Sequence, residues 1–248
     1  MKKRLFIALL VNFYFVGQLF AQLFGGHLKP SDAAYPPGTV HCNPKARTAV
    51  VEVTSPGTGR AWMDRNLGAE RAAISSTDDL AFGDLYQWGR GADGHQCRNS
   101  GTRSTLSSSD KPGHGDFILV PGTSTTDDWR NPQSNSLWQG VNGINNPCPI
   151  GFRIPTEPEF RQERLTWTSN TSAGAFNSVL KLPLAGFREQ TGVISLVAEG
   201  SPYGFIWSST VGSGATSNRA EAFAYYPDRA YENPYTRARG YSVRCIKN

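Results

Sequence analysis

Tyrosine and arginine are concentrated in the last part of this chain, where their types and spacing suit recognition of another molecule. Strand alternation over residues 220–226 sends Phe223 and Tyr225 to one face, which is expected to be core, and Tyr226 to the other. The second face continues into a polar loop expected over residues 227–239. Tyrosine rings cover much apolar area at low entropy cost, and guanidinium groups offer forked donors. The candidate ligand contacts are Ala222, Ala224, Tyr226, Asp228, Arg229, Tyr231, Asn233, Tyr235, Arg237 and Arg239.

A second interpretation of the same segment is open. In loop-rich folds, tyrosine rings also pack against irregular backbone, and such rings would hold the fold rather than meet a ligand. The other large aromatics, including Trp62, Trp88 and Trp207, are expected in the core because each lies within a strand-like motif.

Catalytic and metal chemistry find little support in the remaining residues. The four histidines, at positions 27, 41, 95 and 114, do not have the spacing of metal ligands. Asp93-Gly94-His95 is expected to be a turn held by side-chain hydrogen bonds. No nucleophile-elbow pattern surrounds a serine. We therefore predict no catalytic residue, no cofactor and no metal, although a structural Ca²⁺ near Asp127 and Asp128 stays open.

The N-terminal residues have the pattern of an export signal. Three cationic residues precede an apolar run from Leu5 to Phe20, and the small Ala21 offers a cleavage point. The alternative, a membrane anchor, is weaker because a span needs about 20 apolar residues and this run of 16 includes Asn12. Removing residues 1–21 subtracts three positive charges from +5 and leaves +2. A near-neutral surface gives no support for nucleic-acid binding, which needs clustered Lys and Arg.

The four cysteines are an even number in a chain that is expected to be exported. Exported thiols meet an oxidising environment, so two disulfides are the simplest expectation. Counting alone leaves three pairings open.

Many glycines and prolines indicate numerous turns and few long helices. We predict an extended leader over residues 22–47, then one domain over residues 48–248 with a long, partly ordered insertion at about 95–147. Thr156 and Glu159 have the spacing of a capping box, with Pro158 in the first turn, so a helix is predicted from here to about Thr166. The strand-like stretches are 49–54 and 60–67, which form a predicted hairpin, and 192–197, 204–209, 219–226 and 241–246.

Several motifs, in order, resemble those of the Fibrobacter succinogenes major paralogous domain family over about residues 48–247. They are Phe82-Gly-Asp-Leu-Tyr-Gln-Trp-Gly89, Asp93-Gly-His95, Asn146-Pro-Cys-Pro-Ile-Gly-Phe-Arg-Ile-Pro-Thr156, Leu182-Pro-Leu-Ala-Gly-Phe-Arg188, Trp207-Ser-Ser-Thr210 and Gly240-Tyr-Ser-Val-Arg-Cys245.

The resemblance implies an α+β domain with a C-type-lectin-like fold: small twisted antiparallel sheets, one or two helices and long irregular loops. It implies export by a Bacteroidetes-type bacterium to the periplasm, cell surface or exterior. It also implies a Cys148–Cys245 disulfide, which leaves Cys42 and Cys97 as the remaining pair. The expected partner is a protein or glycan on a cell or phage-host surface, without nucleic acid and without a stable membrane span.

The ending Arg237-Ala-Arg-Gly-Tyr-Ser-Val-Arg-Cys245 also resembles the variable proteins of diversity-generating retroelements. Their chemistry mutates template adenines, which turns asparagine-type codons into several others but not into Lys, Gln, Glu, Met or Trp. Residues 208–239 contain no Lys, Gln, Met or Trp, whereas Glu221 and Glu232 would have to be fixed in the template. Chance composition of a polar segment is the alternative.

Two other relatives of this fold are less well matched. Arg153-Ile-Pro-Thr-Glu-Pro-Glu159 resembles a helix start in formylglycine-generating enzymes. Those oxidases need a closely spaced cysteine pair near the C-terminus to hold copper, and only Cys245 lies there. The Ca²⁺-binding tripeptides of sugar-binding lectins are also missing. A structural or adhesive surface protein without a variable site is therefore the main alternative to a ligand-binding protein.

Overall fold

The computed structural model describes residues 34–43, 47–121, 127–198 and 200–248. The predicted signal peptide lies outside these residues, as do parts of the predicted leader. Residues 34–248 form one compact unit, so the described part of the predicted leader packs with the predicted domain. Tyr35 is buried in the core, and the backbone N–H of Val40 donates to the carbonyl of Ala92. Within the described ranges, no helix has the length and apolar character that a membrane crossing requires.

In the described residues, short strands dominate the secondary structure, with two short α-helices between them. The elements are β1 (Glu52–Thr54), β2 (Ala61–Met63), β3 (Tyr86–Gln87), β4 (Thr102–Arg103), β5 (Phe117–Ile118), β6 (Phe152–Arg153), α1 (Glu157–Arg164), α2 (Ser172–Asn177), β7 (Phe187–Arg188), β8 (Ile194–Ser195), β9 (Val197–Ala198), β10 (Ser201–Pro202), β11 (Gly204–Val211), β12 (Arg219–Tyr225), β13 (Ala230–Thr236), β14 (Gly240–Tyr241) and β15 (Ile246–Lys247).

The strands form small sheets, which fits the predicted α+β class. Two sheets have four strands each, in the orders β1-β2-β15-β6 and β3-β14-β7-β8. A third sheet joins β11, β12 and β13, two further strand pairs are β9-β10 and β4-β5, and only the last of these is parallel. β1 and β2 pair as the predicted hairpin. The predicted strand over residues 241–246 is wrong in its middle, because residues 243–245 belong to no strand, while Tyr241 and Ile246 pair in different sheets and Ser242 forms an isolated bridge with Ile206.

The β11-β12-β13 sheet separates two apolar cores. The first core gathers Trp88, Trp138 and Trp207 with the alanines of β12. The second gathers Trp62 and Phe160 with Phe223, beneath α1. Residues of β12 alternate between the two, so both faces of this strand are covered over most of its length. The expectation that the three tryptophans Trp62, Trp88 and Trp207 are core residues is confirmed.

The helix start was predictable from local chemistry. α1 has Thr156 as its N-cap and Glu159 at the third position, and the backbone N–H of Thr156 donates to the Glu159 carboxylate at 2.8 Å. Pro158 lies in the first turn, where its missing N–H costs no helical bond. Arg153 adds an ion pair to the same carboxylate. The predicted helix is confirmed and ends two residues earlier than expected, at Arg164.

The predicted insertion is packed on the rest of the domain. Ile118, Trp129 and Leu137 form a small apolar cluster, and Trp138 enters the first core. The indole N–H of Trp129 donates to the carbonyl of Trp88, across 41 residues of sequence.

Both expected disulfides are present. Cys148 is bonded to Cys245, and Cys42 to Cys97. The first bridge closes a loop of about a hundred residues, for which the chain-entropy estimate gives roughly 4–5 kcal/mol of stabilisation.

Candidate functional site

The C-terminal sheet brings three tyrosines onto one face. In the β12-β13 ladder, Tyr231 pairs with Ala224 and Tyr235 with Ala220, while Tyr226 follows the end of β12. The backbone N–H of Tyr226 donates to the carbonyl of Arg229 at 2.7 Å, which closes the turn between the strands. Small alanines on β12 leave room for the rings of β13 to lie over the sheet. We call Tyr226, Arg229, Tyr231, Tyr235 and Arg239 the tyrosine patch.

The segment expected as a loop after residue 226 is mostly the strand β13, and that expectation was wrong. Asn233 and Pro234 lower its intrinsic strand preference. β13 is an edge strand, however, and an edge position tolerates proline because one side of the strand needs no donor. Pro234 pairs opposite Glu221 within an otherwise regular ladder.

The tyrosine rings form a connected aromatic group. The rings of Tyr226 and Tyr231 are stacked with centroids 5.9 Å apart, and those of Phe205 and Tyr235 meet edge to face at 5.4 Å. Phe205 in turn stacks on the buried Tyr241 at 4.7 Å. The patch therefore rests on a rigid aromatic floor that belongs to the first core.

The three tyrosine hydroxyls influence one another. Burial raises the pKa of Tyr226 and of Tyr235 above the ordinary tyrosine value. Burial also raises the pKa of Tyr231, but hydrogen bonding from Tyr226, Tyr235 and Arg229 outweighs it and lowers this pKa.

Two arginines flank the rings. The Arg229 guanidinium lies 4.8 Å from the centroid of Tyr226, and its side chain is 52% exposed. Arg239 lies over Phe187 at 5.4 Å and 3.4 Å from the carboxylate of Glu189, with its side chain 30% exposed. Asp228 and Asn233 are exposed at the edge of the patch. These polar groups leave donors available around a half-buried aromatic surface.

Three of the predicted contact residues are not on the surface, and the prediction for them was wrong. Ala222 and Ala224 are 1% and 0% exposed, because the face they share with Tyr226 is covered by the first core. Arg237 is also 0% exposed. Alternation identifies the residues that share a face, but it does not identify what covers that face.

Arg237 ties the C-terminal sheet to the insertion. Its guanidinium donates to the carbonyls of Arg219 and Ser134 and to the side chain of Asn135, and it lies 3.5 Å from the Asp128 carboxylate. It also packs over Trp88 at 4.5 Å. These contacts make Arg237 a structural residue.

The two aspartates considered for Ca²⁺ are engaged in the same connection. Asp127 accepts hydrogen bonds from Asn218, Arg219 and Thr236. Over the described part of the chain, no group of three or more His, Cys, Asp or Glu residues is arranged to hold a metal ion. The sequence did not predict that Asp127 holds these residues in place. Its partners are about 90 to 110 residues away along the chain, and the Ser/Thr/Asp-rich stretch around it has no local pattern that would identify them.

The predicted turn at Asp93-Gly94-His95 is confirmed. The backbone N–H of His95 donates to the Asp93 carboxylate, and Gly94 has a positive φ of 109°. Burial, aided by Arg90, lowers the pKa of His95 to about 4, so the imidazole is neutral at pH 7. Its Nδ1 lies 2.6 Å from Asp93 and its Nε2 accepts the backbone N–H of Gln87, a fully engaged ring.

Comparison with known proteins identified no relative: no family model, no curated protein and no solved structure matches this chain.

Proposed function

We propose that this chain is an exported ligand-binding protein with a C-type-lectin-like fold, and that the tyrosine patch contacts a protein or glycan on a cell or phage-host surface. The observation that carries the proposal is the Tyr226–Tyr231 stack with Arg229 over the ring of Tyr226. Rigid rings with a flanking guanidinium are the residue types that dominate binding energy at interfaces. The small sheets, two helices and two disulfides support the fold and the export.

The hydrogen-bond donors of the tyrosine patch indicate the chemical class of the expected ligand. The tyrosine hydroxyls keep their protons at neutral pH because the ordinary tyrosine pKa is about 10, and burial raises the pKa of Tyr226 and Tyr235 further. Arg229 and Arg239 add guanidinium donors, and each is also paired with a carboxylate, of Asp228 and Glu189 respectively. An oxygen-rich ligand, such as a glycan or an acidic protein surface, would accept from these groups.

The positions of the two glutamates support diversification by a retroelement. Adenine mutagenesis cannot create Glu221 or Glu232, so both must be fixed. Glu232 pairs opposite Phe223 and forms an ion pair with Arg164 of α1 at 3.0 Å. Glu221, two residues before Phe223, faces the same side by alternation. Both fixed residues therefore lie on the face opposite the tyrosine patch, where a variable surface would not need them to change.

Binding by the patch is tested with the full chain on arrays of glycans and of cell-surface proteins. For any ligand found, the double variant Arg229→Ala/Tyr231→Ala is expected to lose at least tenfold in affinity, since interface Tyr and Arg residues often contribute 1 kcal/mol or more each. Arg161→Ala is the matched control, because Arg161 is 56% exposed on α1 and remote from the patch. Its affinity should equal that of the original chain.

The partial burial of the rings favours one alternative: a structural or adhesive surface protein in which the patch is ordinary packing. Thermal unfolding of the same variants separates the two. If the double variant loses stability but keeps its affinity, the alternative holds and the ligand-binding proposal falls. The oxidase alternative is disfavoured because Cys245, the cysteine nearest the C-terminus, is bonded to Cys148.

Diversification is tested separately, by sequencing the DNA that adjoins the gene. A near-repeat of the coding segment for residues 208–239, differing at adenines, should lie close to a reverse transcriptase gene. If neither is present, diversification is rejected, while ligand binding by the patch is still decided by the variants.

A further inference from the structure

A cavity of about 380 Å³ opens beside the Cys42–Cys97 bridge, formed by residues that the tyrosine patch does not use. Its wall includes Asn43, Glu70, Asp79, Asp84, Arg98 and Asn99. This volume lies in the range of small-molecule sites, about 300–1,000 Å³. We call it the Asp84 pocket.

Asp84 is the unusual residue of this pocket. It is 7% exposed and, among the described residues, no donor lies within hydrogen-bonding or ion-pair distance of its carboxylate. Other buried carboxylates have at least one partner: Asp78 binds Arg71, and Glu163 accepts from Ser55 through Oε2, although its Oε1 has no donor among the described residues. A buried charge without a donor is costly, and native proteins rarely keep one without a reason.

The backbone holds this carboxylate in place. Gly68 has a positive φ of 82°, and a Cβ atom there would lie 2.2 Å from the Asp84 carboxyl carbon. The carboxylate therefore packs directly on the Gly68 backbone, in a space that a larger residue would fill. Asp84 and Gly68 both line the pocket, so this carboxylate borders the cavity.

The nearest cation does not neutralise Asp84. Arg98 donates through Nε to the carbonyl of Gly83 at 2.7 Å and through Nη2 to the carbonyl of Ala185 at 2.9 Å. It also lies over the ring of Phe82 at 5.6 Å. Its guanidinium attracts the carboxylate over a distance longer than an ion pair, so no described residue donates to the oxygens of Asp84.

The rest of the wall is acidic as well. Glu70 and Asp79 face the same cavity, so three carboxylates stand against one guanidinium. We propose that the Asp84 pocket binds the primary ammonium group of a small organic cation, which donates to the Asp84 carboxylate. A compact ammonium has three donors and fits beside a single carboxylate on a glycine floor. The volume has room for the alkyl chain that would carry it, with Glu70 and Asp79 near the outer part.

The test is calorimetric titration of the full chain with putrescine, a linear diamine, at pH 8. Saturable binding with one site is expected. Asp84→Asn keeps the shape and removes the charge, and it should weaken binding at least tenfold because charge-assisted bonds are the strong ones. Asp110→Asn is the control: Asp110 lines a separate cavity of about 570 Å³, and its substitution should leave the affinity unchanged.

A second variant protects the test against a folding defect in Asp84→Asn. Asn99 is exposed at the pocket, so Asn99→Trp should block the cavity without altering Asp84 or the core. If Asn99→Trp loses putrescine binding while its unfolding temperature stays that of the original chain, the proposal is supported. It is overturned if the original chain does not bind putrescine, if Asp84→Asn binds as tightly, or if CaCl₂ binds this pocket and putrescine does not.

Discussion

Arg229 and Arg237 lie eight residues apart at opposite ends of β13, and the sequence offers no reason to treat them differently. Arg229 lies beside the open turn, with half its side chain in solvent and one ring beneath it. Arg237 lies where the insertion covers the strand, fully buried among carbonyl acceptors and above Trp88. One residue type therefore serves recognition at one end of the strand and structure at the other. What covers each end decides between the two roles.

The largest effect that would test this contrast is expected at the covered end. Arg237→Ala removes a buried guanidinium, its hydrogen bonds to the carbonyls of Arg219 and Ser134, and the one ion pair that the structure gives Asp128 among the described residues. Breaking a buried pair typically costs about 3–5 kcal/mol. We expect a loss of that size in the free energy of unfolding, measured by urea denaturation. A loss below about 1 kcal/mol would mean that Arg237 is not a structural residue.

Asp84 extends the comparison to a buried carboxylate that has no partner among the described residues. Burial raises its pKa to about 7, although Arg98 opposes this; Tyr35 and Tyr86 also lie near it. In the unfolded chain the pKa is about 3.9. The folded state therefore holds a proton between pH 4 and 7 that the unfolded state has released, and stability from this group falls as pH rises through that window.

Asp84→Asn should remove the loss of folding stability that ionisation of Asp84 causes as the pH rises. We expect the variant to be more stable than the original chain by about 1–3 kcal/mol at pH 8, and the difference to shrink toward pH 4. Urea denaturation at both pH values measures it, in the absence of added amines. Asp110→Asn serves as the control, with no such gain at pH 8. A difference that is equal at both pH values would show that Asp84 titrates normally.

The rings of the patch should have an intermediate effect, because they are half-buried. Tyr235→Ala removes contacts with Phe205 and Tyr241 and is expected to cost about 1–2 kcal/mol. Tyr235→Phe keeps the ring and should cost less than 1 kcal/mol. Thermal unfolding of the pair measures the difference. Equal losses in both variants would mean that the hydroxyl, rather than the ring, anchors this position.

The contrast between the two ends of β13 also explains which parts of the molecule could be predicted from the sequence. The start of α1 depends on contacts three residues apart, so Thr156 and Glu159 were enough to predict it. The β1-β2 hairpin is local in the same way. The roles of Ala222 and Arg237 depend on what packs over them from the first core and from residues 128–135, which no short pattern encodes.

Strand β13 was missed for a related reason. Its intrinsic preference is low at Asn233 and Pro234, and it forms because β12 offers a complete ladder beside it. Tertiary context overrides weak strand preference. The residue types of the candidate site and its exposed turn were therefore predictable, but the strand conformation of its backbone was not.

The smallest effect on stability is expected at Arg229, and this makes it the sharpest test of the open end. Arg229→Ala removes an exposed ion pair with Asp228 and one contact with Tyr226, so the free energy of unfolding should change by less than about 0.5 kcal/mol. Urea denaturation, run beside Arg161→Ala, measures it. Burial already opposes ionisation of Tyr231, and Arg229 is one of the groups that lower its pKa. Loss of Arg229 should therefore raise that pKa, which ultraviolet titration of the tyrosines would detect as ionisation shifted to higher pH. A large stability loss would show that Arg229 belongs to the structural group with Arg237, and the division of β13 into two roles would be wrong.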